Sequence, residues 1–164
     1  QITGKKEGYE EGNLFMLTTS DNKHIEGTKI ELEESSKVAG LGSDLVKILE
    51  LSPIYFDLNS SYLRQDAIAD LDKVVDYMTR RPDIKIAVGS HTDSRESDDY
   101  NMWLSKRRAK RTVDYIISKG VNASRISGEG YGETQLLNKC SNGVKCPESE
   151  HQLNRRSEFI VIQK

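Results

Sequence analysis

Two helical hydrophobic patterns, flanked by short apolar segments, dominate this chain from residue 51 onward. The first runs from 64 to Pro82, and the second covers about 102–119 and ends at Gly120. Extended patterns surround the two helices at 51–59, 84–91, 125–133 and 157–163. This order predicts an α+β fold: a two-layer sandwich of order β-α-β-α-β-β, with a mixed sheet and two main helices on one face.

The extended segments are expected at different places in the sheet. Pro53 lies near the start of the first segment and favours an edge strand, because proline donates no backbone hydrogen bond. Ile84, Ile86 and Val88 share one face of the second segment. The nearly unbroken apolar run at 158–162 predicts burial on both faces or pairing in the middle of the sheet.

Residues 1–50 have a different sequence pattern from the rest of the chain, because short extended pieces there are broken by Gly, Asn and Asp. Apolar and polar residues alternate in this part as in a half-buried strand, at Thr28, Ile30 and Leu32. We therefore expect a β-rich N-terminal segment and linker over 1–42, interpreted as the tail of a preceding module, and one domain over 43–164.

The composition excludes several classes of partner. The chain has 164 residues, 35% hydrophobic and 30% charged, which is the balance of a globular protein with a packed core. Its net charge of −2 gives no overall basic field that would attract nucleic acid. The longest apolar runs fall far below the roughly 20 residues of a membrane-spanning helix. We expect neither nucleic-acid binding nor a membrane span.

The cysteines Cys140 and Cys146 lie in one polar loop, with Gly143 between them. This spacing allows a small disulfide ring, which would place the protein in an oxidising compartment such as a periplasm. Two alternatives stay open. One is a metal site completed by His151, although a fourth ligand with suitable spacing is missing. The other is a pair of reduced, inert thiols.

The second helix carries a basic face and one arginine at the border of its apolar arc. The residues expected to be solvated are Lys106, Arg107, Lys110 and Arg111. Arg108 falls about 80° from the centre of the arc, so its guanidinium is expected at the edge of the buried surface, facing a carboxylate. A plain salt bridge or a stem covering the core is the alternative. Asp93, in the turn after the second strand, is either a binding acid or a turn residue.

Four sequence segments occur in a specific order over about 52–163: IYFDLNSSYL, then HTDS followed by YNMWLSKRRAKRTVDYIISKG, then RISGEGYGE, then NRRSEF. Together they resemble the C-terminal peptidoglycan-binding domain of the OmpA family, which includes peptidoglycan-associated lipoprotein and MotB. The resemblance implies a non-catalytic module without cofactors in the periplasm of a Gram-negative bacterium. It would bind the diaminopimelate residue of the wall peptide and anchor the outer membrane, or a protein in it, to peptidoglycan.

The resemblance also assigns residues to the ligand. Asp93 would bind the ammonium and Arg108 the carboxylate that diaminopimelate carries on one carbon. Further implied contacts are Phe56, Asp57, Thr92, Asn101, Leu104, Asn154 and Arg155. Asn101 is alternatively the N-terminal cap of the second helix. Trp103 either covers the surface beside that helix or stacks on sugar or peptide.

Two other functional classes stay open. The domain is a structural module that forms homodimers through its charged helix, or it is a hydrolase of the wall peptide that uses Asp93 and His91 as acid and base. The hydrolase is disfavoured because the sequence shows neither a Ser or Cys nucleophile motif nor a convincing set of metal ligands.

Overall fold

The computed structural model describes residues 2–4, 12–14 and 39–163. The chain divides into two compact units, Gln1–Val38 and Ala39–Lys164. The assignment of 1–42 as a segment and linker apart from the domain stays a prediction.

The first unit contains one strand pair among its described residues. β1 (Ile2–Gly4) pairs antiparallel with β2 (Gly12–Leu14), with Ile2 opposite Leu14. The strand predicted at Thr28, Ile30 and Leu32 lies outside the described residues.

The second unit holds the predicted strands and helices plus two short helices. In chain order these are α1 (Leu45–Ile48), β3 (Ile54–Tyr55), α2 (Gln65–Arg80), β4 (Lys85–Ser90), α3 (Asp98–Ser118), a 3-10 turn (Ala123–Arg125), β5 (Ile126–Gly130), α4 (Glu148–Asn154) and β6 (Arg156–Gln163). The four strands form one sheet of order β3-β6-β4-β5. β4 and β5 are parallel and the other pairs are antiparallel, so the predicted α+β fold with a mixed sheet is confirmed.

The strand positions agree with the sequence patterns. β3 is an edge strand directly after Pro53, and β6 lies between β3 and β4, as its apolar run predicted. Burial alternates along β6, with Ser157, Phe159 and Val161 buried, so mid-sheet pairing explains the run and burial on both faces does not. Because β4 and β6 are antiparallel neighbours, the end of β4 lies beside the start of β6, with Ser90 opposite Ser157.

The helix α3 begins one turn earlier than predicted. Ser97 is its N-cap and accepts a hydrogen bond from the Tyr100 backbone N–H at 3.3 Å. Asp98 and Asp99 occupy the first turn, where negative charge interacts favourably with the helix dipole. Asn101 lies inside the helix, so the alternative in which it caps the helix is wrong.

Glycine allows α3 to pack closely against β5. A Cβ at Gly130 would lie 2.2 Å from the backbone nitrogen of Lys106, which no side chain tolerates. This contact fixes α3 over the sheet, with Leu104, Ala109 and Ile116 buried below it. Over the part of the chain that is described, no helix has both the length and the apolar character to cross a bilayer.

Candidate functional site

Asp93 follows β4 by three residues and is almost completely buried, with 3% of its surface exposed. Its Oδ2 accepts hydrogen bonds from Arg95 Nη2 at 2.7 Å and from Arg155 Nη1 at 2.8 Å. Its Oδ1 accepts a third from the Arg95 backbone N–H at 3.2 Å. The carboxylate predicted to bind a cation therefore already holds two guanidinium groups.

Arg155 comes from the end of α4, immediately before β6, and only 2% of it is exposed. Besides Asp93, it donates from Nε to the Phe56 carbonyl at 3.1 Å and from Nη2 to Glu148 Oε1 at 2.6 Å. Nη2 also donates to Gln152 Oε1. These contacts hold Arg155 rigidly between α4, Asp93 and the segment that follows β3.

Glu148 connects the two arginines a second time. Its Oε2 accepts from Arg95 Nη1 at 2.8 Å while its Oε1 accepts from Arg155. Asp93, Arg95, Glu148 and Arg155 thus form a closed ring of ion pairs. Sequence reasoning missed Arg95 and Glu148, although the Pro147-Glu148 pair in front of another acid, Glu150, is typical of a helix start.

The ring keeps its acids ionised. Burial raises the pKa of Asp93, but hydrogen bonds from Arg95 and Arg155 outweigh burial and hold that pKa below its ordinary value. Partial desolvation likewise raises the pKa of Glu148, and the same two arginines bring it below its usual range. The hydrogen bond to Asp93 raises the pKa of Arg95, so this pair stays charged at neutral pH.

Arg108 is fully buried, which corrects the expectation that its guanidinium emerges at the border of α3. It donates to three backbone carbonyls: from Nε to Ser60 at 2.8 Å, from Nη1 to His91 at 2.9 Å and from Nη2 to Asp57 at 3.0 Å. The helical wheel missed this burial because the segment after β3, distant in sequence, covers this side of the helix.

The charge on Arg108 persists despite its burial. Desolvation and the nearby positive charge of Arg155 lower the pKa of Arg108 to about 10, while Asp93 opposes the shift. Arg108 therefore remains cationic at neutral pH and close enough to Asp93 and Arg155 to interact with both. Its guanidinium also lies 4.8 Å from the centre of the Phe56 ring, a cation-π contact.

Besides Arg155, three of the other predicted contacts lie around this group. Phe56 is buried and its carbonyl accepts from Arg155. The carbonyl of Asp57 binds Arg108, but its carboxylate is exposed and pairs with Arg64 at 2.9 Å. Thr92 is buried beside Asp93, and its Oγ1 has no hydrogen-bond partner among the described residues.

The remaining predicted contacts, Asn101, Leu104 and Asn154, have other partners. The Asn101 amide donates to Glu133 Oε2 and to the Glu96 carbonyl. Leu104 is a buried apolar residue. The Asn154 Oδ1 accepts from the Leu137 backbone N–H at 2.8 Å. Asn101 and Asn154 thus fix loops next to the site, and neither one shares a hydrogen bond with Asp93.

The predicted disulfide between Cys140 and Cys146 is present. Because the two sulfurs are bonded to each other, the alternative of a cysteine metal site and that of free thiols are both wrong. The loop closed by this disulfide lies next to the ring of ion pairs. The Cys140 carbonyl accepts a hydrogen bond from Ser94 Oγ, and Cys146 lies two residues before Glu148.

His91 and Asp93, the acid and base of the hydrolase alternative, have separate partners. The His91 ring stacks on Tyr131 at 5.3 Å and its Nε2 lies 3.2 Å from Glu158 Oε1. Asp93 contacts arginines instead, so the two residues do not share a hydrogen bond. The basic face of α3 is mostly solvated as predicted, and half-exposed Trp103 packs under Arg107 at 4.9 Å.

The OmpA family model matches residues 55–149, more than half of the chain, and this range includes β4, Asp93 and Arg108. The chain belongs to the OmpA family. The peptidoglycan-associated lipoprotein of Rhizobium meliloti (strain 1021) is 35% identical over 108 residues, which cover 66% of this chain and 58% of that protein. The chain thus spans less than two thirds of this relative's length.

Two solved structures share the fold. The peptidoglycan-associated lipoprotein from Burkholderia pseudomallei superposes with a TM-score of 0.62 at 22% identity, over 69% of this chain and 92% of that chain. The cell wall anchor of the T6SS from Pseudomonas aeruginosa gives a TM-score of 0.54 at 23% identity, over 67% and 76% of the two chains. At these identities the likeness shows the OmpA-like fold alone.

Proposed function

We propose that this OmpA-family domain binds peptidoglycan non-covalently and thereby holds the outer membrane, or a protein in that membrane, to the cell wall. The proposal is supported by relatives named for their association with peptidoglycan or for anchoring to the cell wall. These relatives are named for binding, not for a reaction. The disulfide suits the oxidising periplasm on the inner side of that membrane.

The ligand group we propose is the diaminopimelate residue of the stem peptide. The observation that carries this proposal is an ionised Asp93 close to a cationic Arg108 at one end of β4. An ammonium and a carboxylate on one carbon require one acid and one base held together, because either alone accepts many ionic partners. Thr92 Oγ1, which has no hydrogen-bond partner in the described part of the chain, offers a further polar contact beside Asp93.

Arg108 retains donors for the ligand carboxylate. A guanidinium carries five N–H groups, and the three backbone carbonyls use one each from Nε, Nη1 and Nη2. One N–H on each terminal nitrogen has no partner among the described residues, and two N–H donors of one guanidinium can bind a carboxylate together. The hydrogen bonds to the three backbone carbonyls would then orient the Arg108 guanidinium. Ligand entry would require the segment after β3, which covers Arg108, to move.

A single stem peptide is expected to bind weakly. Each charged hydrogen bond contributes on the order of 1.5–3 kcal/mol before ordering costs. Many copies of the domain facing one polymer would be retained much longer through avidity. Weak binding to a soluble fragment and firm binding to whole cell-wall sacculi are therefore compatible.

Co-sedimentation with purified sacculi tests the proposal. The parent is expected in the pellet and Asp93→Asn in the supernatant, because the substitution keeps the shape of the side chain but removes the charge for the ammonium. Thermal unfolding of both proteins checks that the variant remains folded. Asp76→Asn, an exposed acid of α2 paired with Arg80, is the matched control and should sediment like the parent.

The diamino acid is tested with soluble fragments. Titration calorimetry with a muropeptide ending in diaminopimelate should give heat of binding, while the same fragment ending in lysine, which lacks the second carboxylate, should bind more weakly. Equal affinity for the two fragments would exclude a role for Arg108 in carboxylate recognition. Equal sedimentation of the parent and Asp93→Asn would show that Asp93 is not the peptidoglycan site.

A further inference from the structure

The acid proposed to hold the ligand ammonium is occupied by the protein itself. Asp93 Oδ2 accepts from two guanidinium groups, and both Asp93 and Arg155 are buried. An incoming ammonium has no access to this oxygen unless one of the two arginines leaves. The structure distinguishes sharply between them.

Arg155 is held in place on all sides. Its side chain is 3% exposed, and its three other hydrogen bonds go to the Phe56 carbonyl, Glu148 and Gln152. Its departure would leave the buried Asp93 without its most rigid cation and remove one of the two hydrogen bonds to the Phe56 carbonyl from the end of α4. Such a change costs far more than one weak ligand provides.

Arg95 is held much less firmly. It lies in the loop between β4 and α3, and 31% of its side chain is exposed. Apart from Asp93, its guanidinium bonds only Glu148 among the described residues, and that carboxylate is itself 60% exposed. The exposed Arg95–Glu148 pair contributes little to stability, so outside Asp93 the Arg95 guanidinium has only a weak attachment.

We propose that Arg95 is a gate residue that occupies the ammonium position on Asp93 until the ligand displaces it. This inference rests on the proposed function and deepens it. Binding is then an exchange of cations: the ligand ammonium replaces the guanidinium on Asp93 Oδ2, while Arg155 stays. The number of positive charges on Asp93 is unchanged, so its carboxylate is never left buried with fewer partners.

Glu148 supports this exchange from the other side. Its Oε2 binds Arg95 Nη1 in the closed arrangement, and its exposed position allows it to follow the displaced guanidinium outward. A closed gate reduces the apparent affinity in proportion to the fraction of molecules that are open. The gate also selects against simple cations, which must compete with a guanidinium that is tethered next to the site.

The test is calorimetric titration of a diaminopimelate-ending muropeptide into the parent and into Arg95→Gln. Without the competing guanidinium, the variant should bind more tightly, by about tenfold if the open fraction of the parent is about one tenth. Arg80→Gln, which removes an exposed arginine paired with Asp76 on α2, is the matched control and should leave the affinity unchanged.

The direction in which Arg95→Gln changes the affinity for the muropeptide decides whether Arg95 competes with the ligand. Weaker binding by Arg95→Gln would mean that Arg95 contacts the ligand directly, and unchanged binding would mean that it does not compete; either result overturns the gate. If the folded parent and variant both fail to bind the muropeptide and sacculi, the proposed function falls together with the inference.

A second measurement follows Arg95 itself. In the free parent, the guanidinium Nε–H and Nη–H resonances of Arg95 are expected to show an ordered side chain, and ligand saturation should shift them towards those of a solvated arginine. Arg155 should stay ordered throughout. An Arg95 guanidinium that remains ordered against Asp93 in the complex would refute displacement even if Arg95→Gln binds more tightly.

Discussion

Replacing Arg108 with methionine should destabilise the domain severely, although Arg108 lies on the helix that carries the basic face. The substitution keeps a side chain of similar length but removes every donor to the carbonyls of Asp57, Ser60 and His91. These three bonds join the segment after β3 to the end of β4. Their loss leaves the Ser60 and His91 carbonyls without a partner among the described residues, whereas the Asp57 carbonyl still accepts from the Ser60 backbone N–H at 3.2 Å.

The magnitude follows from two opposing effects. Three charged hydrogen bonds at about 1.5–3 kcal/mol each contribute roughly 4.5–9 kcal/mol. Removing the charge also removes its burial cost: desolvation lowers the pKa of Arg108 to about 10, which corresponds to about 3 kcal/mol. We therefore expect Arg108→Met to lower the free energy of unfolding by about 1.5–6 kcal/mol.

Urea denaturation followed by circular dichroism measures this loss. The matched control is Arg107→Met, the same chemical change one residue earlier, where the guanidinium is exposed over Trp103. It should change the free energy of unfolding by no more than about 0.5 kcal/mol. A loss below about 1 kcal/mol for Arg108→Met would refute the view that this arginine holds the two segments together.

Two further predictions concern the surroundings of Asp93. Because its folded pKa lies below the ordinary value of 3.8, the stability that Asp93 contributes is fully present above that pH and is lost as pH falls through the lowered folded pKa. At acid pH, the free energy of unfolding should therefore fall less steeply with decreasing pH in Asp93→Asn than in the parent. Equal slopes for the two proteins would contradict this. Replacing Cys140 and Cys146 with serine should lower the free energy of unfolding by about 2 kcal/mol, as estimated for so short a ring. Identical urea midpoints for the oxidised parent and the double variant would show that the disulfide does not stabilise the domain.

The sequence predicted the elements that depend on local pattern. The apolar spacing of α2 and α3, the edge position after Pro53 and the pairing of Cys140 with Cys146 were all predicted correctly, because each depends on residues that are close in sequence. The helix α4 was missed because its loop is polar and the helix is only two turns long. Its acidic first turn after Pro147 was a usable indication.

The candidate site was predictable in part. The resemblance to the OmpA family named Asp93, Arg108 and Arg155, and the structure brings these three together. It did not name Arg95 or Glu148, which complete the ring of ion pairs. No periodicity shows that Glu148 meets Arg95, because the two residues are far apart in the chain and meet only when α4 packs beside the end of β4.

The sequence alone therefore determined the order of the four sheet strands and the two main helices, the mixed two-layer fold and the presence of an acid after β4. Only the tertiary structure decided which cations reach that acid, and that Arg108 is buried instead of lying at the border of α3. The physical reason is that a helical wheel records the face of one helix, whereas burial and ion pairing depend on the distant segments that fold against it.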